Sequence, residues 1–491
     1  STRGRGRTFL SVCLSAGVLL TGVSVAAPAH AAGEQYAFTV LAPASESASQ
    51  LIVRSVIEAS AACPTLTTTN AQSQAPTMTQ LTVREAPSGT GKAFTSIRVC
   101  ELAVPAGATA TGTVTFANGT TATVPTLLSS SISSMAFIGD TGCRLVANMQ
   151  QDCSSDRKWP LGSFAKQIAD ARPQAVVHVG DYLYDTWKCE IKSHCKEVPP
   201  PVTGEPFLAS AASFDYSFLK PFSPVFPVAP FLPLRGNQET CSVDGIPYFY
   251  ILDPHFGTSR TCDPVKGKAP TPIMDPYAID LTTDQGQTVR VVATDSAYAN
   301  DNAIDINAAR MRPKFKAAEA LAEATPAGGS AWLLTHRPIF GVRSKISCND
   351  NRCTPYTKDP NISDWISTDV TAASYGTLAP YEAIISGHMH LSQVTQIPGA
   401  PTQFIVGAGG TELDPKTGYS RPKFGPLASG LGKPLSKKFK PYPTFKSWTN
   451  RVDFSYAMVE PTAQGWSIDV KTLGDKNLAS CVFAARDVKC R

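Results

Sequence analysis

Six times between Met135 and His388 the chain runs through a short apolar stretch and stops on a polar side chain of a type that can bind metal. The stretches are "MAFIGD" ending on Asp140, "AVVHVGD" on Asp181, "FLPLRGN" on Asn237, "VRVVATD" on Asp295, "AWLLTH" on His336 and "EAIISGH" on His388. Short runs rich in Val, Ile and Leu predict strands buried on both faces, as in parallel sheets. Segments with helical spacing lie between them. One is "GSFAKQIADA", with Phe164 and Ile168 four apart; another is "INAARMRPKFKAAEALAEATP", where Pro313 marks a start or a kink. The alternation predicts an α/β domain from Met135 onward, closed by a hairpin of "FSYAMVE" and "GWSIDVK". Ligands of α/β sheets gather outside the carboxyl ends of the strands. A single polar strand end is an ordinary cap, but six in order predict a common site.

The last run adds a second histidine. In "IISGHMHLSQ", His388 and His390 stand two apart, which puts both on one side of an extended chain. Alone the pair fits a strand end as well as a metal site. The wider pattern is "GDTG" (139–142), "GDYLY" (180–184), "GNQE" (236–239), "LLTH" (333–336) and "GHMH" (387–390). These five motifs, spread over about 250 residues, resemble the metallophosphoesterase (calcineurin-like) superfamily, and within it the purple acid phosphatases. Gly142, where most of the superfamily carries histidine, and Tyr184, three after Asp181, both favour the purple branch.

The resemblance implies a four-layer α/β/β/α sandwich over 135–475 and a site for two metals. Asp140, Tyr184 and His390 would bind the first, Fe(III) in that branch. Asn237, His336 and His388 would bind a divalent partner (Zn, Mn or Fe(II)), and Asp181 would bridge the two. Carboxylate and phenolate suit hard Fe(III), while imidazole and amide suit the divalent ion. Two cations roughly 3.5–4 Å apart can clamp the attacking and leaving oxygens of an in-line displacement, with a metal-bound hydroxide as nucleophile. The implied reaction is hydrolysis of phosphomonoesters, with Asp181, Asn237, Gln238 and His336 in catalytic positions. No G-x-S-x-G marks a serine nucleophile.

One motif departs from the family. Its third element is normally Gly-Asn-His followed by an acid, and here Gln238 takes the histidine's place. Glutamine can hydrogen-bond phosphate but cannot donate a proton as imidazolium does. Leaving-group protonation is therefore the step in doubt. Three further residues read as structural: His178 as a satisfied core histidine, Asp295 as a strand-end cap, and Arg337 as a surface or structural arginine.

Ahead of the α/β region, residues 33–126 read as all-β. "GTVTFANGTTATV" predicts a hairpin turning at Asn118-Gly119, a pair suited to a type I′ turn. With "QLIVRSVI" and "SIRVCELAV" it predicts a small immunoglobulin-like or fibronectin III-like β-sandwich, joined through a Ser-rich linker at 127–134. Residues 476–491 read as a disulfide-closed tail.

Residues 1–31 read as a signal peptide, with Arg3, Arg5 and Arg7 before an apolar stretch that ends in "AHA". Of 13 cysteines, Cys13 lies in that leader and twelve remain. The nearest neighbours are Cys63/Cys100, Cys143/Cys153, Cys189/Cys195, Cys241/Cys262, Cys348/Cys353 and Cys481/Cys490, although sequence alone leaves connectivity open. An even set without C-x-x-C predicts a secreted or periplasmic, oxidised protein. Beyond the leader, 41 basic residues face 39 acidic ones, which gives no reason to expect a nucleic-acid partner. No later stretch is long and apolar enough to span a bilayer after leader cleavage. The segment 416–446 is rich in Lys and Arg without Asp or Glu, and reads as a solvated loop or a basic flap for an anionic substrate. Two other functions fit the same pattern: a phosphodiesterase, including phospholipid-cleaving relatives, or a non-catalytic binding protein on a degenerate scaffold.

Overall fold

The computed structural model describes residues 34–43, 51–87, 90, 93–146, 149–185, 189–199, 209–257, 273–301, 305–339, 341–344, 346–349, 352–355, 363–366, 368–414 and 447–491. Two sheets hold its centre, one of 11 strands and one of 7. Strands Met135–Ile138, Ala175–His178 and Phe231–Pro233, which lead to Asp140, Asp181 and Asn237, are neighbours and parallel in the first. Strands Thr288–Thr294, Ser330–Thr335 and Ala383–Ser386, which lead to Asp295, His336 and His388, are neighbours and parallel in the second. The predicted closing hairpin forms between Tyr456–Thr462 and Gly465–Lys471 and extends the first sheet.

Successive side chains of these strands alternate between a core shared by the two sheets and a core beneath the helices of their own sheet, as the two-residue period of a strand requires. Met135, Phe137, Ala175 and Val177 share one core with Val291, Trp332, Leu334 and Ile385 of the second sheet. The Phe137 ring lies 6.4 Å from Trp332, and Trp332 lies 4.7 Å from Trp466. The alternate residues face helices. Ala136, Ile138 and Val176 pack with Leu161, Phe164, Ala165 and Ile168 of helix Leu161–Ala171. Leu333 and Ile384 pack with Met311, Phe315 and Ala318 of helix Ile306–Glu323. That helix starts where the Asp305 side chain accepts from the Asn307 amide at 2.7 Å. Pro313 therefore lies inside the helix and does not begin it.

The expected free-standing sandwich over 33–126 does not form as a separate body. Strand Tyr36–Leu41 joins the first sheet, parallel to Phe231–Pro233 at Val40, and Leu51–Glu58 and Ile97–Ala103 continue it. The composition of "YAFTVL" explains this: all six residues are buried, so the strand has no polar face to offer solvent. The Phe38 ring lies 4.9 Å from Phe226 and 5.5 Å from Phe231, tilted against both, on the helical side of the sheet. Residues 35–491 form one compact unit, and the sheet crosses the 127–134 linker. A smaller sheet of 4 strands takes up Thr65–Thr69, Pro76–Gln80, Thr111–Thr115 and Thr121–Pro125. Its hairpin turns at Asn118-Gly119, but only Gly119 (φ 85°) is left-handed. The Phe116 amide donates to the Thr120 carbonyl at 2.9 Å, so the loop has three residues and a glycine bulge in place of a type I′ turn.

Among the described residues, four of the anticipated disulfides are present: Cys63–Cys100, Cys143–Cys153, Cys189–Cys195 and Cys481–Cys490. The last closes a hairpin of Asn477–Ala484 and Asp487–Cys490, so the 476–491 tail also belongs to the first sheet. The backbone register sets Cys348 opposite Cys353. Cys241 is disulfide-bonded, while Cys262 lies outside the described residues. The leader and the basic segment 416–446 lie outside them as well. Among the described residues, no helix is long and apolar enough to cross a membrane.

Candidate metal centre

Three of the strand ends stop on a left-handed residue: Asp140 at φ 54°, Asp181 at φ 61° and His388 at φ 70°. Such a conformation costs of order 1–3 kcal/mol for a residue with a Cβ and persists only where its surroundings enforce it. Backbone bonds between the strand ends do so here. The Asp140 amide donates to the Gly180 carbonyl and the Thr141 amide to the Asp181 carbonyl, each at 2.9 Å. Two of the preceding glycines allow the close approach. At Gly180 (φ 101°) a Cβ would sit 2.7 Å from the Gly236 backbone and from His336 Nδ1, and at Gly387 it would collide with Asp140 Oδ2. With that space open, the His388 amide donates to Asp140 Oδ1 at 3.0 Å and Oδ2 at 2.9 Å.

The side chains converge in two groups. In the first, the Tyr184 hydroxyl lies 2.6 Å from Asp181 Oδ2, 2.9 Å from His390 Nε2 and 3.2 Å from Asp140 Oδ1. His390 Nδ1 is 2.7 Å from the Glu412 carbonyl, which can only accept, so Nδ1 carries the proton and the Nε2 lone pair faces Tyr184. In the second group, His336 Nε2 lies 3.3 Å from Asp181 Oδ2 and 3.1 Å from Asn237 Oδ1. Its Nδ1 donates to the Val179 carbonyl at 2.7 Å by the same reasoning. Asp181, His336 and His388 each bring a donor atom within 4.8 Å of the other two. Asp181 thus touches both groups through Oδ2, while its Oδ1 accepts from the Gln238 amide at 2.9 Å.

The electrostatics of this cluster are those of a site short of positive charge. Burial, reinforced by the charge of Asp181, pushes the Asp140 carboxyl well above the usual range. Burial does the same to the Tyr184 phenol, with Asp181 and Asp140 adding to it. Burial opposes ionisation of Asp181 too, but His336 and Tyr184 overcome it and hold its carboxyl below the usual range. Burial also depresses His390, and brings His388 down to about 4, so both imidazoles stay neutral and free to ligate. Among the described residues, neither Asp140 nor Asp181 is ion-paired to a lysine or arginine. Cations would compensate these charges and stabilise the ionised phenol. The first group, with two carboxylates, a phenol and one imidazole, fits a hard cation; the second, with imidazoles, an amide and the shared carboxylate, fits a borderline divalent one.

All seven residues anticipated as ligands therefore come together, and Gln238 sits beside them, half-buried, with its amide on Asp181. Of the residues read as structural, His178 is fully buried, with Thr141 Oγ1 at 2.9 Å from its Nε2 and its ring stacked 4.0 Å from Tyr182. Asp295 pairs with Arg235 at 3.0 Å and accepts from the Met274 amide. Arg337 is not on the surface: it is buried beside His388 and bound to Asp301. Two further histidines lie elsewhere, His194 on the Gln150 carbonyl and His255 on Asp253.

Two residues of the site escaped the sequence analysis. Glu239 is buried and accepts from the amides of Asp181, Gly236 and Tyr182 at 2.9, 2.9 and 2.8 Å, which ties two ligand loops together. Burial and the charge of Asp181 push its carboxyl up to about 8. Its place as the acid closing "GNQE" was the available signal. Asp301 contacts both His388 and Arg337, and no motif marks it.

No family model and no curated protein matches the chain. Solved structures do. A purple acid phosphatase from yellow lupin (Lupinus luteus) seeds matches 91% of this chain and 73% of its own, at 12% identity and a TM-score of 0.49. The structure of PhoD matches over 92% of this chain and 91% of its own, at 10% identity and the same TM-score, 0.49. A dimetal phosphatase from Danio rerio matches over 71% and 98%, at 10% identity and a TM-score of 0.36.

Proposed function

We propose that the chain is a binuclear metal-dependent phosphoesterase of the purple acid phosphatase type, hydrolysing small phosphomonoesters. The observation that carries the proposal is the double use of Asp181 Oδ2, 2.6 Å from the Tyr184 hydroxyl and 3.3 Å from His336 Nε2, between two complete donor sets. Asp140, Tyr184 and His390 would hold one cation, Asn237, His336 and His388 the other, and Asp181 both. The succession of helix, sheet, sheet and helix around three cores fits the four-layer sandwich of that family.

Bound cations would supply charge to the phosphoryl oxygens and lower the pKa of a water so that it can attack near neutral pH. The chain's own residues do the rest. The carbonyls of Val179 and Glu412 fix the His336 and His390 tautomers so that Nε2 faces inward. The Gln238 backbone amide fixes the Asp181 carboxylate, and the Gln238 side chain would donate a hydrogen bond to phosphate without giving up a proton. The four disulfides between described residues support an oxidising location, secreted or periplasmic.

The test is metal analysis of the purified protein beside its turnover of an aryl phosphate and the corresponding diester. Two metal equivalents with preference for the monoester support the proposal. Two equivalents with preference for the diester move the function to a phosphodiesterase, and a metal-free, inactive protein leaves a binding scaffold.

A further inference from the structure

The donor groups account for both nitrogens of His336 and His390, but those of His388 are held differently. His388 Nε2 lies 3.0 Å from Asp301 Oδ2 and 2.9 Å from Arg337 Nη1. The other oxygen, Asp301 Oδ1, accepts from the same Arg337 nitrogen. A guanidinium can only donate and a carboxylate beside it can only accept. The imidazole must choose: an Nε2–H donates to Asp301, whereas a bare Nε2 accepts from Arg337 and leaves the proton on Nδ1. Only the first leaves the Nδ1 lone pair free for a ligand.

Asp301 is built into place. It follows Asn300, whose amide donates to Asp369 Oδ2 at 2.8 Å; the Asp305 amide donates to Asp369 Oδ1, also at 2.8 Å. The Asp369 amide in turn donates to the Asn300 carbonyl at 3.1 Å. One buried carboxylate thus holds Asn300 and Asp305 together, and the Asp305 side chain starts helix Ile306–Glu323. Arg337 is fixed as well, its amide donating to Ser296 Oγ at 2.9 Å.

We infer that Asp301 is a positioning residue: it accepts the Nε2–H of His388, sets the tautomer, and so presents Nδ1 to the divalent cation. The inference rests on the binuclear function proposed above and adds to it a carboxylate–imidazole–metal relay that no motif predicted. Partners of this kind orient the ring and raise its basicity.

The test uses full-length protein labelled with 15N-histidine, stripped with a chelator and reloaded with Zn2+, and His388 is assigned by His388→Gln. Wild type is expected to show the Nε2–H tautomer with and without Zn2+. In Asp301→Ala and Asp301→Asn the signal should shift toward the other tautomer. Zn2+ affinity by calorimetry should fall by roughly 10–100-fold at the second site alone. Arg337→Met leaves Asp301 with the imidazole and should keep both the tautomer and near-wild-type affinity, which separates the carboxylate's role from general disruption. A wild-type Nδ1–H tautomer, or Asp301 variants with unchanged tautomer and affinity, would overturn the inference. Wild type that holds the Nε2–H tautomer yet takes up no second equivalent of Zn2+ supports the role of Asp301 on the ring and overturns the binuclear function instead.

Discussion

Asp181→Asn is the substitution that bears hardest on a shared carboxylate. The amide is nearly isosteric, and its oxygen can still accept from the Gln238 amide, so the strand end keeps its local bonds. What disappears is one negative charge between the two donor groups. A pair of unit charges about 4 Å apart at an effective dielectric of about 20 is worth about 4 kcal/mol. At ~1.4 kcal/mol per decade, that is about three orders of magnitude in affinity for each ion. His388→Ala removes a neutral ligand from one group only, and Asp140, Tyr184 and His390 remain untouched. The expected result is an Asp181→Asn protein that loses both metals on dialysis and a His388→Ala protein that loses one. Elemental analysis after dialysis checks this, with calorimetric titration of the stripped proteins and circular dichroism to establish folding. A folded Asp181→Asn protein that retains two equivalents at wild-type affinity would refute the bridging role.

The Fe(III)-loaded protein should be coloured through charge transfer from the Tyr184 phenolate. Tyr184→Phe should abolish the visible band while iron stays partly bound; a colourless wild type with stoichiometric Fe(III) counts against Tyr184 as a ligand. With Gln238 in the histidine's place, kcat/KM should fall steeply across esters of rising leaving-group pKa. Gln238→His should recover a good part of the ~10²–10⁴-fold typical of general acid help on alkyl esters only, and a flat wild-type profile would exclude this. A chain starting near Ser130 should fail to fold. It loses Phe38 from the aromatic cluster and takes Arg84 out of its buried pair with Asp253 at 3.9 Å, a break that costs about 3–5 kcal/mol. A soluble, cooperatively unfolding truncation would contradict it. Finally, His388 falls from 6.5 to about 4 through burial, so between those values the unfolded apoprotein binds the extra proton and stability drops as pH falls. His388→Gln should flatten that slope in chelator-treated protein, as read by denaturant melts at pH 4.5, 5.5 and 6.5.

Legibility in the sequence followed the strength of the local signal. The strands that carry the site were plain, because both of their faces are apolar and each ends on a marked residue. "YAFTVL" carried the same two-faced signal, yet its neighbours in sequence pointed to a sandwich. Only the pairing of Val40 with Phe231, nearly two hundred residues away, shows which sheet it completes. No local pattern encodes such a partner. Asp301 was invisible for a related reason: it stands in a loop, and its importance lies in what the clamp from Asp369 brings beside it.

The six polar strand ends also show what separates the proposed ligand positions from a cap. Asp140, Asp181, Asn237 and His388 each follow a glycine; Asp295 follows Thr294 and His336 follows Thr335. A glycine at this place lets strand ends approach until one side chain lies against the next loop's backbone, as Gly180 does at Gly236 and Gly387 does at Asp140. Asp295 lacks that approach, and its carboxylate goes to Arg235. His336 also lacks it and is still in the site, because its longer side chain reaches the Val179 carbonyl from the facing sheet. The informative unit was therefore a glycine followed by a short polar side chain, with histidine exempt by its reach. Read that way, the sequence already separates Asp295 from the other five.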